Sequence, residues 1–564
     1  VNSPAPHPVT SPAPHPVTSP APHPVNFPAT HEVFNQVPDL VPYQAAADPA
    51  LLEGLRREGA AWAEDEVREI GALAGGVRAQ DWGRLVNEYP PVLRTHDRYG
   101  HRIDEVEFHP HWHDLMTVAV EHGMHAAPWR DPRAGAHVAR AAKFYVWGQA
   151  EAGHMCPISM TYAVIPALRH NPELAATYEP LLAAPHYDFG LREPSTKRGL
   201  IAGMSMTEKQ GGSDVRANTT TATPQADGSY RIVGHKWFTS APMSDLFLTL
   251  AQTGSGVSCF LLPRVLPDGS RNRIHIQRLK DKLGNKSNAS SEIEYEGATG
   301  WLVGAEGRGV NTIIEMVNMT RLDCVIGSAT GMRAATLRAV HHARHRKAFG
   351  ALLVDQPLMR NVLADLIVES EAATTMMMRL AGATDRASTD PQEAALRRIA
   401  LAVTKYWVCK RAPAHAAEAL ECLGGNGYAE ESGMPRLYRE APLMSIWEGS
   451  GNVAALDALR AMVKQPETVD AFFAELRLAE GADPRLDDAV ARVGKELADL
   501  ENVEYRARRI VELMALVLQG AQLVRHGHPA VADAFCATRL GDDWGIALGT
   551  MPTGVDTAAI LARI

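Results

Sequence analysis

The chain has 564 residues and no Cys-x-x-Cys pair. Its six cysteines are Cys156, Cys259, Cys324, Cys409, Cys422 and Cys536, scattered through apolar context. A chain of this length can bury a core without disulfide or metal staples. The pattern predicts buried, reduced thiols, which a reducing, cytoplasmic compartment maintains. No metal site is expected. No apolar run reaches membrane-spanning length, so no transmembrane helix and no membrane partner are expected. The start of the sequence lacks a basic segment followed by an apolar one, which argues against a secretory leader. Positive charge is not in excess either: 56 Lys plus Arg stand against 65 Asp plus Glu, a formal net charge of −9. That balance gives no general attraction to nucleic acid or anionic lipid and leaves only a local basic face open.

What is present falls into blocks. Residues 3–26 are three copies of an eight-residue unit, SPAPHPVT, SPAPHPVT and SPAPHPVN. Alternating prolines remove backbone donors and fix φ, so neither helix nor sheet ladder is expected. A passive, partly extended tail and a metal-binding tract through His7, His15 and His23 are the two readings. From about 50 to 190 the periodicity is helical, with Leu51, Leu55, Ala61, Val67, Ile70 and Leu73 recurring every three or four positions. Between 200 and 300 short strand-like pieces appear, with turn signals at Asp227-Gly228 and Asp268-Gly269. Helical periodicity returns after about 308. Leu363, Leu366, Ile367, Met376, Met377 and Leu380 share a broad apolar face, with the methionines as core filler.

Three segments carry chemistry. Met206 to Asp214 combines the hydroxyls of Thr207 and Ser213 with Gly211-Gly212, where the backbone can come close to a bound group. It reads either as an ordinary loop or as a contact for an oxygen-rich or heterocyclic ligand. Gly424-Gly425-Asn426-Gly427-Tyr428 follows a helical run. It reads as a helix C-cap or as a backbone surface for a pyrophosphate or flat cofactor. A helix, not a strand, precedes it, so it is not the dinucleotide fingerprint of a Rossmann unit. In Trp447-Glu448-Gly449-Ser450 the carboxylate either caps the next helix or enters an apolar cavity, where desolvation would raise its pKa toward that of a general base.

Together these segments resemble the acyl-CoA dehydrogenase family over about residues 135–460. Gly234 to Ser240, Lys282-Leu283-Gly284, Arg321, Arg346, Phe349-Gly350, Leu363 to Leu366, and Arg436, Tyr438, Arg439 and Glu440 ahead of Glu448 extend the likeness. A narrower likeness, from about residue 30 onward, is to the bacterial adaptive-response AidB branch. It is carried by Thr30 to Gln36, Pro110-His111-Trp112-His113 and the extra helices past 465. The sequence departs from the wider family at Lys209-Gln210, at His342 and at Asp355 to Arg360.

The resemblance implies a mainly α fold with a central β-barrel-like domain. The expected division is a repeat tail at 1–29, an N-terminal segment and helical domain at 30–195, and a middle β domain at 196–305. A C-terminal four-helix bundle at 306–460 and an extra helical domain at 461–564 complete it. The resemblance also implies FAD. Met206, Thr207, Gly212, Ser213, Trp237 and Thr239 would lie at its ring. Arg346, Phe349, Gly424, Gly425, Gly427 and Asn452 would meet the rest, partly from a neighbouring subunit of a homotetramer built as a dimer of dimers. Glu448 is the expected catalytic base toward an acyl-CoA, with an electron-transfer flavoprotein as oxidant. Two alternatives to a weakly active stress-response flavoprotein are a true short- or branched-chain dehydrogenase and a non-enzymatic DNA-shielding flavoprotein. The branch associates the extra helices with double-stranded DNA, and Arg506, Arg508, Arg509 and Arg525 are the candidate contacts. Yet residues 460–564 hold 12 Lys plus Arg against 16 Asp plus Glu, a net −4. Weak, salt-sensitive binding is therefore expected.

Overall fold

The computed structural model describes residues 30–541 and 545–564. The proline-rich repeats and their three histidines lie outside the described residues. Among those described, no helix is long and apolar enough to cross a membrane.

The chain is mainly helical around a closed central sheet, the architecture of the acyl-CoA dehydrogenase fold. Seven strands build that sheet: β1 (Ala202–Ser205), β2 (Thr221–Pro224), β3 (Tyr230–Ser240), β4 (Leu246–Thr253), β5 (Gly256–Pro263), β6 (Ile274–Leu279) and β7 (Ser290–Val303). Pairing runs β1-β4-β2-β3-β7-β5, and β5 returns to pair with β4, closing a ring; β6 lies on β7. Ile232, Phe260, Ile276, Ile293 and Tyr295 fill the interior. A buried ion pair also sits there, with Lys236 Nζ 2.9 Å from Glu208 Oε1. Glu208 further accepts from the backbone N–H of Thr219 at 2.7 Å and Thr220 at 3.2 Å. The glutamate of the 206–214 motif is thus an internal anchor for its loop. Removing either partner would strand a buried charge.

The helices flank this sheet. Two precede it and bear on the site, α1 (Ala136–Trp147) and α2 (Met155–Leu168). Among those that follow are α3 (Gly309–His345), α4 (Pro357–Arg386), α5 (Pro391–Glu421) and α6 (Gly451–Lys464). Their starts are written locally. Pro391 opens α5 behind Asp390, whose carboxylate accepts from Gln392 N at 2.8 Å; a proline at the first position lacks only a donor the helix leaves unused. The α3 helix is buried along most of its length, as expected of a helix apolar on nearly all sides. Met376, Met377 and Met378 of α4 are buried, and so are all six cysteines, each unpaired.

The early helical run is less continuous than its periodicity predicts. It forms two helices, Pro49–Arg57 and Glu64–Ala74, separated at Gly59, where φ is +89°. Leu73 is exposed while Leu51, Leu55, Val67 and Ile70 are buried. The break resets the phase of the second helix, so two extrapolated positions, Ala61 and Leu73, fall outside the core. The helices past 465, including α7 (Val503–His526), share one apolar core with α4 and α5. They are also tied to the bundle by buried charge: Arg539 lies 2.5 Å from Asp365 and 2.9 Å from Glu369, and Arg379 of α4 pairs with Glu475 at 3.0 Å.

Candidate active site

A cavity of about 650 Å³ opens between the sheet and the helices. Met206, Thr207, Gly212 and Ser213 form part of its sheet-side wall, and Thr320, Cys324 and Glu448 face it from the helices. Glu448 stands in the turn between the short helix Leu443–Ile446 and α6, at φ +56°. Left-handed backbone is unfavourable for a residue with a Cβ and persists when its surroundings over-determine it. They do so here. Arg321 Nε donates to the Glu448 carbonyl at 2.9 Å, and Lys405 Nζ donates to the Trp447 carbonyl at 2.9 Å and to that of Gly449. Arg321 is itself fixed by Asp457 at 2.8 Å, which Arg398 also holds at 2.9 Å.

Among the described residues the carboxylate has a single direct donor, the Thr320 hydroxyl, 2.7 Å from Oε2. Burial raises the Glu448 pKa, and the Thr320 hydrogen bond, Lys405 and Arg321 pull it back to a lesser degree. A carboxylate that is partly desolvated and held by one hydroxyl can take a proton from a weak carbon acid placed beside it.

The structure brings together five of the sequence-predicted positions on this cavity: Met206, Thr207, Gly212, Ser213 and Glu448. Trp237 and Thr239 require a correction, because Phe238 and Ser240 line the cavity instead. The register between β3 and β7 shifts between Lys236 and Thr239, the mark of a bulge. Lys236 and Thr239 both turn into the sheet interior, where Thr239 Oγ1 meets Ser205 Oγ at 2.5 Å. Trp237 lies under the Lys280 ammonium, 3.2 Å from its ring centroid. A bulge shifts which side chains reach which face, and β-bulges are frequent beside active sites.

The remaining candidates lie off the cavity. Arg346 donates to the Asn35 carbonyl at 2.5 Å. Phe349 and Gly350, at φ +51° and +84°, form the tip of the hairpin Lys347–Ala348/Ala351–Leu352, and Phe349 is fully exposed. Gly424 and Gly425 are open, with no atom within 4 Å of an added Cβ, whereas one on Gly427 would fall 2.1 Å from the Leu420 carbonyl oxygen. Asn452 is exposed in the first turn of α6.

Sequence reasoning missed Phe238, Ser240, Thr320 and Lys405 as site residues. The aromatic-hydroxyl alternation of β3 is a signal for the first two once the bulge is known; no local pattern marks Thr320 or Lys405. Glu440, noted only as part of a motif, also lines the cavity. Burial pushes its pKa up to about 7, with nearby Glu151 adding to the rise, while the Asn285 N–H donates to it at 2.6 Å.

The four candidate DNA contacts separate on inspection. Arg506 pairs with Glu496 at 2.5 Å, Arg509 with the same glutamate at 3.2 Å, and Arg525 with Glu475 at 3.1 Å. Arg508 is exposed, makes no ion pair among the described residues, and lies with Lys410 beside Gly451.

Three family models match the chain. They are the adaptive response protein AidB N-terminal domain over residues 35–189, the acyl-CoA dehydrogenase middle domain over 203–298 and the acyl-CoA dehydrogenase C-terminal domain over 307–463. AidB of Escherichia coli (strain K12) is 46% identical over 507 residues, 89% of this chain and 93% of that protein. Acyl-CoA dehydrogenase family member 11 of Caenorhabditis elegans is 30% identical over 479 residues, 79% of this chain and 77% of that protein. Among solved structures, Caenorhabditis elegans ACDH-11 in complex with C11-CoA superimposes with a TM-score of 0.81 at 27% identity, covering 90% of this chain and 93% of that chain.

Proposed function

Because the chain belongs to the acyl-CoA dehydrogenase family, we propose that it is a FAD-dependent oxidoreductase acting on the CH–CH bond of an acyl thioester, with Glu448 as its base. The observation that carries this reading is the position of Glu448. Its carboxylate faces a largely apolar cavity, its pKa is raised by burial, and its backbone is fixed by Arg321 and Lys405. The solved relative that holds C11-CoA supports a thioester ligand.

The residues present fit a flavin. Thr207, Ser213 and Ser240 place hydroxyls along the sheet-side wall, and Gly212 leaves room for Thr207, whose Oγ1 would lie 2.4 Å from an added Cβ. The indole N–H of Trp447, on the same cavity, is buried without a partner among the described residues. A buried donor left unmade is costly, so a ligand acceptor there is favourable. When bound, FAD supplies the hydride acceptor. Glu448 receives the proton from the carbon next to the thioester carbonyl. Thr320 stabilises the charged carboxylate and orients it, and the cavity's apolar wall excludes water that would otherwise solvate it.

The outer part of the cofactor would run toward Arg346, Phe349, Gly424, Gly425, Gly427 and Asn452. The exposure of Phe349, Gly424, Gly425 and Asn452 supports completion by a second copy, and hence the homotetramer. An electron-transfer flavoprotein is the proposed oxidant. The role in the alkylation response follows the AidB branch. Three of its four candidate arginines are already neutralised by acids, which supports at most a weak contact with double-stranded DNA. Affinity for a duplex is expected to fall steeply between 50 and 200 mM salt, and tight binding with no salt slope would refute that contact.

The test of the main reading is anaerobic titration of the purified, flavin-loaded protein with a panel of acyl-CoAs. Loss of the oxidised flavin band with formation of the enoyl product is expected. A flavin band untouched by every thioester would end the proposal.

A further inference from the structure

The C-terminal end of α3 carries His341 and His345, four residues apart and so on one face of the helix. Their ring centroids are 4.5 Å apart. His345 is exposed, His341 is partly exposed, and neither lines the cavity at Glu448. One nitrogen of each ring is already committed. His341 Nε2 lies 2.8 Å from the Pro38 carbonyl, and His345 Nδ1 lies 2.8 Å from the carbonyl of His341. A carbonyl oxygen only accepts, so both of these nitrogens carry a proton. In a neutral imidazole the other nitrogen then holds a lone pair. That leaves His341 Nδ1 and His345 Nε2 as acceptors on one helix face. A ring oriented by a backbone carbonyl is the arrangement of a metal-ligating histidine, and two histidines at this spacing on a helix can grip one ion.

Two ligands do not make a complete site. Among the described residues no group of three or more His, Cys, Asp or Glu could hold a metal. The missing donors have a source close by. The segment ahead of Pro38 is stitched to the residues that follow His345. Asn35 Nδ2 donates to the Lys347 carbonyl at 2.9 Å, the Lys347 N–H donates to Asn35 Oδ1 at 2.8 Å, and Arg346 donates to the Asn35 carbonyl. Twelve positions closer to the start of the sequence stands His23, the last histidine of the three eight-residue repeats. A chain of that length spans up to about 40 Å, so distance does not forbid contact. Within each repeat the imidazole is the one side chain that suits a transition cation; the others belong to Ser, Pro, Ala, Val and Thr or Asn. Imidazole ligands favour Zn2+, Ni2+ or Cu2+ over Mg2+ and Ca2+. Arg344 and Arg346 stand nearby and limit affinity for any cation. Their guanidinium groups are engaged by the carbonyls of Leu561 and Ile564 and of Asn35.

We propose that His341 and His345 form half of a binding site for a divalent transition cation such as Zn2+, and that the repeat imidazoles, His23 first, then His15 and His7, complete it. The ion would tie the repeat to the end of α3, beside the rim at 346–350. Ligands tethered this way act at an effective concentration in the millimolar range, so two weak half-sites combine into one tighter site.

The experiment is calorimetric titration of the metal-free, flavin-loaded full chain with Zn2+ alone. One ion per chain is expected, and Mg2+ is expected to give no binding. His345→Ala is the cleaner helix variant, because the hydrogen bond of its ring lies within its own helix; His341→Ala is the second. Each is expected to weaken Zn2+ binding by at least about tenfold, and so is a variant that combines His7→Ala, His15→Ala and His23→Ala. Wild-type binding is expected to weaken as pH falls below about 6.5, where imidazole takes up protons. Flavin content and thermal unfolding without metal establish that each variant is folded. Unchanged affinity in both helix variants would mean that the repeat binds the ion by itself, which overturns the inference. Unchanged affinity in the combined repeat variant, or half an ion per chain, would mean that the helix pair is completed elsewhere, and overturns it too. So does the absence of saturable binding at submillimolar Zn2+.

Discussion

The turn around Glu448 and the rim formed by residues 346–350 and 424–428 are both candidate binding elements, yet they are built in opposite ways. The turn is complete within one chain. Its left-handed backbone is held by Arg321 and Lys405, its carboxylate by Thr320, and Arg321 in turn by Asp457. The rim is open. Phe349 stands at a hairpin tip in full exposure, Tyr428 is exposed, and Gly424 and Gly425 face empty space. Groups that must hold a reacting geometry are over-determined by their own chain. On the proposed reading, groups that would grip the far end of a cofactor are left for a second copy to cover, which would link loading to assembly.

The largest expected effect breaks the inner side of that comparison. Glu448→Gln keeps the shape of the turn, because Thr320 can still donate to the amide oxygen and the pins act on backbone carbonyls. Acyl-CoA turnover is expected to fall by at least about a hundredfold, the scale of a lost general base, while bound flavin stays stoichiometric. Full turnover in that variant would move the base elsewhere, with Glu440 the candidate on the wall, because Asp323 and Asp457 there are held in ion pairs with Arg140 and Arg321. The rim responds differently. Phe349→Ser removes a fully exposed aromatic, so the protomer's own stability should stay within about 0.5 kcal/mol. Flavin content and oligomeric mass, read together by absorbance and light scattering, are expected to fall in step. A variant that keeps its mass but loses flavin would separate the two roles.

Legibility in the sequence followed the same division. The helices at 136–147, 309–345, 357–386 and 391–421 were foreseeable because long runs without a turn or strand signal carry apolar residues at helical spacing in the sequence. Glu448 and the loop at 206–214 were legible because glycine, hydroxyl and carboxylate types cluster within a few residues. Trp237 was assigned to the wrong side of its strand because a bulge between Lys236 and Thr239 is not visible in a run of alternating residues, and a single extra residue exchanges the faces. Thr320 and Lys405 were invisible because each lies on a long helix, 128 and 42 residues from its partner in the turn, and nothing local distinguishes it from core. The acidic balance of the last hundred residues foretold neutralised arginines. It did not foretell that those helices share a core with α4 and α5, since periodicity reports a buried face but not what buries it.

The smallest expected effect concerns Glu440, which sits on the cavity wall without being part of the turn. Its pKa, about 7 in the folded chain, lies above the ordinary value of 4.5. Between those two values the folded state binds a proton that the unfolded state releases. Stability contributed by this group is therefore full below about pH 4.5 and is lost as pH rises toward 7. Glu151 works against it at lower pH, because pairing with His154 and Asn87 holds its pKa down to about 2 despite burial. The contribution of Glu151 is present above its unfolded value and is lost as pH falls through about 2. The two windows barely overlap, so Glu440 can be isolated. Glu440→Gln is expected to flatten the fall in stability between pH 5 and 7 and to leave the variant about 1 kcal/mol more stable than the wild type at pH 8. Urea unfolding at a series of pH values reads this directly. Identical slopes in variant and wild type would mean that Glu440 is ionised in the folded chain, and that Glu448 is the carboxyl on this wall whose pKa is raised.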